Sequence, residues 1–444
     1  MPDHAVPDHP DHAVADRPPS TRPNLVLLGS GDPDYRGYAL ESLAATYPVL
    51  LVDRGPFDWQ RSYVDQVLDC PPEDVNAVLT LLRGVEIGAV LTYDEFCVEA
   101  AADLAHRLGL RHNPPEVARR CRDKRLMRAA FARAGVPSPA SIAVTDGDQA
   151  GEAATQIGYP VVLKPPALAG SIGVIRVDEP AELAERFALS NGARHARYGA
   201  GSGVTLVERY LPGDEVSVES LVVDGRPDPV AVTRKYLGPA PYFEERQHIV
   251  APMEPLPDQD EIVRVVGSAH RALGVRWGTT HTELRLTPDG PAVVELAVRG
   301  AGDLIPLLVR LATGVDLMTS AAAGLLAGQP SAGGVVPPHA GRPLAPAAGV
   351  RFFYPSQDLE FHSAELRAGS WPWLVRFCCE ATPGQPLRLP PGGYLDRIGY
   401  AVVTGATTAE CERRLETVAS ALSVTSTPIG RPAGRRLAQL PNIR

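Results

Sequence analysis

The segment THTELRLTPDGPAVVELAVRG, residues 280–300, constrains this chain more than any other. Two runs of alternating apolar and polar side chains flank Pro288-Asp289-Gly290, and alternation interrupted by a turn signal reads as a β-hairpin. Glu283 and Glu295 are equidistant from Asp289, so a turn centred there sets them directly opposite each other. Period-two alternation then puts His281, Glu283, Arg285, Glu295 and Arg299 on one face, with Leu284, Leu286, Val294, Leu296 and Val298 turned to a core. Like charges facing each other across two strands repel. A cation between them removes the penalty, and paired carboxylates make the hard oxygen site that Mg²⁺ takes while keeping other positions for water and phosphate. Taken alone, the hairpin also fits a solvated face on which Arg285 and Arg299 pair with the glutamates.

Composition limits the rest. At 444 residues the chain has room for about three domains. With 44% hydrophobic and 21% charged residues and a net charge of -9, it reads as globular rather than disordered, and not as a nucleic-acid binder held by phosphate contacts. No run approaches the roughly 18 apolar residues of a membrane span, and the opening MPDHAVPDHPDHAVADRPPS has neither a basic nor an apolar signal region. A cytoplasmic location without membrane contact is the expectation. Cys70, Cys97, Cys121, Cys378, Cys379 and Cys411 show no C-x-x-C spacing and read as reduced thiols.

Residues 1–22 repeat Asp-His among prolines and read as a disordered tail. Apolar strands at Leu25–Leu28, Val49–Val52 and Ala89–Thr92 alternate with helical stretches, which predicts a parallel α/β unit over 23–115. Gly29-x-Gly31 hints at a nicotinamide dinucleotide site, but the G-x-G-x-x-G spacing fails at Asp34. One helix is expected from Glu116 to Gly135, then mixed strands and helices over 116–203 and 204–330. The Pro/Gly-rich QPSAGGVVPPHAGRPLAPAAG reads as a linker, which with a small α+β unit fills 331–444.

Only three of the 43 basic residues are lysines: Lys124, Lys164 and Lys235. Where arginine holds nearly every position that needs only charge, the remaining lysines mark sites that want a compact ammonium. Lys164 closes the apolar strand VVLK ahead of a loop with Gly170, Ser171 and Gly173, whose amides can approach phosphate oxygens. In VTLVERYLPGDEVSVE a strand leads to Glu208, and the backbone there can read an adenine edge, with Glu215 in reach of a ribose. Each glutamate fits an edge-strand carboxylate equally well.

Lys124 in CRDK, Lys164 in VLKP, the loop AGSIGV, the stretch VERYLPGDEVSVE and Glu283 with ELAVR stand in the order and spacing of the ATP-grasp superfamily. The chain resembles its carboxylate-amine ligase branch, which includes the amino-acid ligases, over most of its length. The resemblance implies a Rossmann-like N-terminal α/β domain, a two-lobed α+β ATP-grasp centre (116–203 and 204–330) and a small C-terminal α+β domain. It further implies that Lys124 and Lys164 hold the α- and β-phosphates, that Gly170, Ser171 and Gly173 cover the β- and γ-phosphates, and that Glu208, Arg209, Tyr210 and Leu211 form the adenine hinge with Glu215 at the ribose. Glu283 and Glu295 would bind metal. Arg299 would hold the substrate carboxylate or acyl phosphate, with Lys164, Lys235 and His281 completing the catalytic set. Lys235 lies in TRKYLGPAPYFEERQHIVAP, which resembles a mobile loop over the active site, and residues 236–252 are expected to form that lid. Many relatives carry E-x-N, with Asn as a further metal ligand; here the position is Ala297, and the register sets His281 opposite it.

The implied cofactors are ATP and Mg²⁺, with Mn²⁺ as the alternative metal. The implied partners are small-molecule carboxylate and amine substrates, with a homodimer admissible and neither nucleic acid nor membrane. The implied reaction forms an amide through an acyl phosphate. An ATP-grasp carboxylase, a phosphoribosylamine-type ligase and a nucleotide-binding regulatory protein without turnover are the alternatives.

Overall fold

The computed structural model describes residues 23–195, 199–200, 203–253, 258–327, 341–367, 369 and 371–430. The Asp-His tail and most of the Pro/Gly-rich stretch lie outside the described residues. No helix among the described residues is long and apolar enough to cross a membrane. All six cysteines are free, and Cys379 alone is exposed.

The first unit is a parallel sheet of four strands, in the order Gln66–Asp69, Val49–Asp53, Asn24–Leu28, Ile87–Leu91. Strands buried on both faces need near-continuous apolar residues, and Val49 to Val52 supply them before the strand ends at Asp53. Leu25 and Leu27 pack on one face and Val26 and Leu28 on the other. The first face is covered by the helix Pro33–Thr46 and also by Met318, Ala321, Ala322 and Leu325 of the helix Leu317–Leu326, so this unit shares a core with later chain. Its strands end at one rim, where Glu95 follows in a short 3₁₀ turn. Ligands of such sheets bind at the carboxyl ends of the strands.

Two helices, Pro115–Arg122 and Lys124–Ala134, replace the single one expected from Glu116 to Gly135. Asp123 leaves helical geometry (φ -101°, ψ 107°) and caps the second helix by accepting from the Arg125 amide at 2.9 Å. Its side chain competes with the helix for that amide. The break makes Lys124 the first helical residue, with its own amide free to donate to the Pro166 carbonyl.

A small antiparallel sheet follows in the order Ser141–Val144, Thr205–Arg209, Val161–Lys164, Ile175–Val177. Glu208 is therefore on a central strand, not an edge. The large sheet has eight strands, in the order Gly290–Ala297, Gly278–Thr287, Asp214–Val223, Arg226–Leu237, Glu245–Pro252, Ala347–Phe353, Gly399–Gly405, Leu374–Cys379. Hydrogen bonding runs without a break into the strands after the Pro/Gly-rich stretch. The helices Gln259–Leu273 and Thr408–Ala421 pack beneath, against Val216, Val218 and Leu284 and against Ile249 and Ala401 respectively. Alternation leaves Glu215, Glu219, Lys235 and Glu283 on the opposite face.

The hairpin register sets Glu283 opposite Glu295 and His281 opposite Ala297, as the turn midpoint predicts. The route to that register differs from simple alternation about Asp289. Thr287 pairs with Gly290 around a two-residue turn, Leu284 pairs with Val293, and a bulge at Val294 adds the residue that restores the Glu283–Glu295 pairing. Val293 therefore fills the core position and Val294 lines the cavity described below, the reverse of the expectation for Val294.

Residues 236–252 form no continuous loop. Glu245–Pro252 pairs with strands on both sides, and only 238–244 lies outside the strands, with Tyr242 packed against Ile172 and Tyr394. The buried run His248–Ala251, in a strand paired on both sides, outweighs the nearby glycine and prolines.

Candidate active site

A cavity of about 210 Å³ opens between the small sheet and the upper face of the large one. Every site residue named from the sequence lines it except Gly173, whose φ of +75° and lack of a side chain let it pass Ala193 and Pro165. A Cβ there would come within 2.5 Å of Ala193. Gly170 and Ser171 precede it in the left-handed region (φ 65° and 56°), which turns the loop's backbone toward the cavity.

Lys164 ends its strand buried, with its ammonium 2.6 Å from Glu208, and Arg128 reaches the same carboxylate at 2.9 and 3.1 Å. Burial works against the Glu208 charge, but the two cations outweigh it and hold the carboxyl at about 2. Burial, with Arg128 competing for the same anion, lowers Lys164 to about 8. The carboxyl falls because two cations face it, and the ammonium falls chiefly because it is buried. The Glu208 side chain is thus committed to its cations, and the amides of Arg209 and Tyr210 donate to the Ala140 and Pro160 carbonyls, so a hinge contact falls to the remaining backbone groups of this stretch. Tyr210 stacks under the Arg176 guanidinium at 4.2 Å, and the Leu211 carbonyl accepts from Arg285 at 3.1 Å. Lys124 donates to Glu295 at 3.0 Å and to the Leu168 carbonyl of the loop at 3.3 Å.

Lys235 is buried on its strand, in no mobile loop, and its ammonium contacts Glu245, Glu283 and, at 3.3 Å, Glu215. Desolvation opposes its charge, but the carboxylates outweigh it and keep the ammonium well above the usual range. Oxygens of Glu215, Glu245 and Glu283 lie within 4.8 Å of one another. Burial pushes the Glu215 carboxyl up. His281 bonds Glu219 at 3.0 Å through Nδ1 and Glu283 at 3.2 Å through Nε2. Burial disfavours its charge; Glu219 and Glu283 outweigh that and raise it to about 9.

The repulsion between Glu283 and Glu295 is relieved within the protein itself. Glu283 takes Lys235 and His281, and Glu295 takes Lys124. Arg285 and Arg299 form their ion pairs elsewhere, although the Arg299 charge still feels both glutamates. Arg285 pairs with Glu215 at 3.2 Å, and Arg299 pairs with Glu95 from the rim of the first sheet. What remains as an argument for a divalent cation is the chemistry of the donors. Glu283 and Glu295, with Glu215 and Glu245 beside them, are hard oxygens of the kind Mg²⁺ takes.

Sequence reasoning passed over several groups. Glu95 joins Arg122 at 2.5 Å and Arg299, tying the first unit to the site. Glu219 orients His281 and accepts from the Ser217 hydroxyl at 2.6 Å. Glu245 and His248 lie in the stretch 242–248, whose mix of aromatic, acidic and basic groups reads in the sequence as an acceptor loop for polar, amino-acid-like substrates and which the structure makes largely strand. Asp303 and Arg397 close the cavity from residues 303 and 397, with Leu395 touching the position of Gly170. The period-two face of Asp214–Val223 could have given Glu219; nothing local marked Arg397.

An ATP-grasp domain model matches residues 157–306. An alanine--anticapsin ligase of Bacillus subtilis is 32% identical over 269 residues, 56% of each chain, so this chain spans just over half of that relative's length. An uncharacterised protein of Sinorhizobium fredii is 27% identical over 417 residues, 92% of this chain and 84% of that one. In fold, the crystal structure of an L-amino acid ligase from Bacillus licheniformis superposes with a TM-score of 0.74 at 20% identity, over 91% of this chain and 99% of the other. Residues 157–306 thus match an ATP-grasp domain, and Lys164, the glycine loop and the carboxylate hairpin that gather on the cavity fall within that span.

Proposed function

We propose that this protein joins a carboxylate to an amine at the expense of ATP, through an acyl phosphate, releasing ADP and phosphate, and that an amino acid is among its substrates. The observation that carries the reading is the single cavity on which Lys124, Lys164, the loop of Gly170 and Ser171, Lys235 and the carboxylates of Glu283 and Glu295 converge. In this reading Lys124 and Lys164 neutralise the non-reacting phosphates, and the loop backbone holds the terminal one. The donor carboxylate attacks the γ-phosphorus and ADP leaves; the amine then attacks the acyl carbon and phosphate leaves. Mg²⁺, held by Glu283 and Glu295, would screen the phosphate charge. Arg299, held by Glu95 on the cavity wall, would grip the reacting carboxylate. Lys235 supplies a positive charge at the carboxylate cluster, and His281, held charged by Glu219, adds another. Positioning and charge neutralisation are most of what phosphoryl transfer requires, so no side-chain nucleophile is needed.

Phosphate release across pairs of amino acids and small acids, with mass spectrometry of the product, tests the reading. Release that depends on two substrates, with a product joined by loss of water, is expected. ATP hydrolysis indifferent to any acceptor, or dependent on bicarbonate, would contradict it.

Lys164→Arg is expected to raise the KM for ATP at least about tenfold and to lower turnover although charge is kept. The buried ammonium shares Glu208 with the Arg128 guanidinium, and a second, larger planar guanidinium does not match its point-charge geometry there. Nucleotide titration of the variant checks this; unaltered affinity would remove Lys164 from the phosphate site.

A further inference from the structure

Asp303 and Arg397 bound the cavity beyond Arg299 and have no part in the phosphate chemistry above. Both terminal nitrogens of Arg397 bind the Asp303 carboxylate, at 2.7 and 3.1 Å. The Arg397 Nε donates to the Tyr354 hydroxyl at 2.9 Å, and NH1 also reaches the Tyr35 hydroxyl at 3.1 Å. Its guanidinium lies 3.6 Å from the centre of the Phe352 ring. The side chain is only 6% exposed. Asp303 itself has a φ of 45°, and its carbonyl accepts from Arg36 at 2.6 Å. Three separate parts of the chain thus converge to hold one carboxylate at the cavity wall.

That arrangement is asymmetric in what it offers a ligand. Arg397 has its Nε and both terminal nitrogens engaged, so it is poorly placed to grip a substrate carboxylate. The Asp303 carboxylate accepts from Arg397 on each oxygen and from His248 on Oδ2 at 3.2 Å. With about four acceptor positions on a carboxylate, Oδ1 retains capacity. An α-amino acid carries its ammonium next to its carboxylate. A site that grips the carboxylate at Arg299 therefore needs an acceptor for the ammonium close by, and Asp303 follows Arg299 by one short loop on the same wall.

We propose that Asp303 is the specificity-determining group for the ammonium of the amino acid whose carboxylate is activated, and that Arg397 is the positioning residue that holds it there. The proposal rests on the ligase reading and names the substrate class for it: α-amino acids with a free amino group, in preference to simple carboxylic acids. Sites that hydrogen-bond a substrate group reject analogues lacking it more strongly than apolar pockets do, because the buried partner is left unpaired.

The test uses the full-length protein with Mg²⁺ and a non-hydrolysable ATP analogue, and calorimetric titration with L-alanine, L-leucine and L-glutamate, each paired with its deaminated acid. At least one amino acid is expected to bind about tenfold or more tighter than its deaminated partner. Asp303→Asn, which tolerates the left-handed backbone, should abolish that preference while leaving affinity for the ATP analogue unchanged. Arg397→Gln should weaken the preference in the same direction, and Arg397→Lys should restore part of it. Preference retained in Asp303→Asn, no preference in the parent protein, or parallel loss of nucleotide and amino-acid affinity would overturn the proposal. Binding preference present while phosphate release is absent for every pair would overturn the ligase reading and leave Asp303 only as the ammonium acceptor of a bound amino acid.

Discussion

Replacing Glu283 with glutamine is expected to lower amide formation by about a hundredfold to a thousandfold, the usual consequence of removing one charge-stabilising group from a preorganised site. Stability of the metal-free protein should change by no more than about 1 kcal/mol. Lys235 keeps Glu215 and Glu245, and His281 keeps Glu219, so neither buried cation is stranded. The outcome separates two roles that the geometry alone would allow. As a counter-ion for Lys235 only, Glu283 could be neutralised with turnover nearly intact. As a metal ligand, it could not. Turnover and the metal-free melting temperature of this one variant decide between them, and near-normal activity would remove Glu283 from the metal site. Glu295→Gln is a less clean probe, because it leaves Lys124 with no carboxylate and only the Leu168 carbonyl.

Glu208→Gln is expected to be the most destabilising substitution at the site, by about 3–5 kcal/mol, because it strands two buried cations at once. Glu208, Lys164 and Arg128 are all less than a tenth exposed, so water cannot take over as partner. The same residue sets an acid limit. Its carboxyl lies at about 2 in the folded chain, below the ordinary value of 4.5. A depressed carboxyl contributes stability in full above its unfolded value and loses it as pH falls toward the folded one. The Glu208 contribution should therefore be complete above about pH 4.5 and fade toward pH 2. Denaturant melts of the parent and the variant from pH 7 to pH 3 should show a gap that narrows with acid. A constant gap would mean that the triad is not what the substitution removed. Weakened nucleotide binding should accompany the loss, since Lys164 without its anion sheds its proton more readily.

What the sequence made legible was local and periodic. The apolar strands of the first sheet, the strand ending at Lys164 and the hairpin about Asp289 all announce themselves by spacing, and the residues that the family resemblance assigns to phosphate, Gly173 excepted, line one cavity. Three lysines in an arginine-rich chain pointed to ammonium sites, and all three line that cavity. The hairpin register came out as expected through a shorter turn and a compensating bulge, which spacing alone does not distinguish. The helix break at Asp123 was missed because the apolar period runs through it, while the capping side chain decides the matter. The partners of the carboxylates were out of reach for a different reason. Glu95, Arg128, Glu219 and Arg397 meet the site across separations of many tens of residues, and no local pattern encodes which distant cation neutralises which anion. Hence the opposed glutamates read as a site in want of a metal, when Lys124, Lys235 and His281 already balance them.

The central claim is that the carboxylate is activated by phosphorylation. It is tested most directly by supplying the donor amino acid with a heavy-oxygen label in its carboxyl group and analysing the phosphate released during amide formation. Attack of the carboxylate on the γ-phosphorus followed by expulsion of phosphate must carry a labelled oxygen into the phosphate, with the product amide retaining the other. Amide formation with unlabelled phosphate, or label found in a nucleotide monophosphate, would contradict the account.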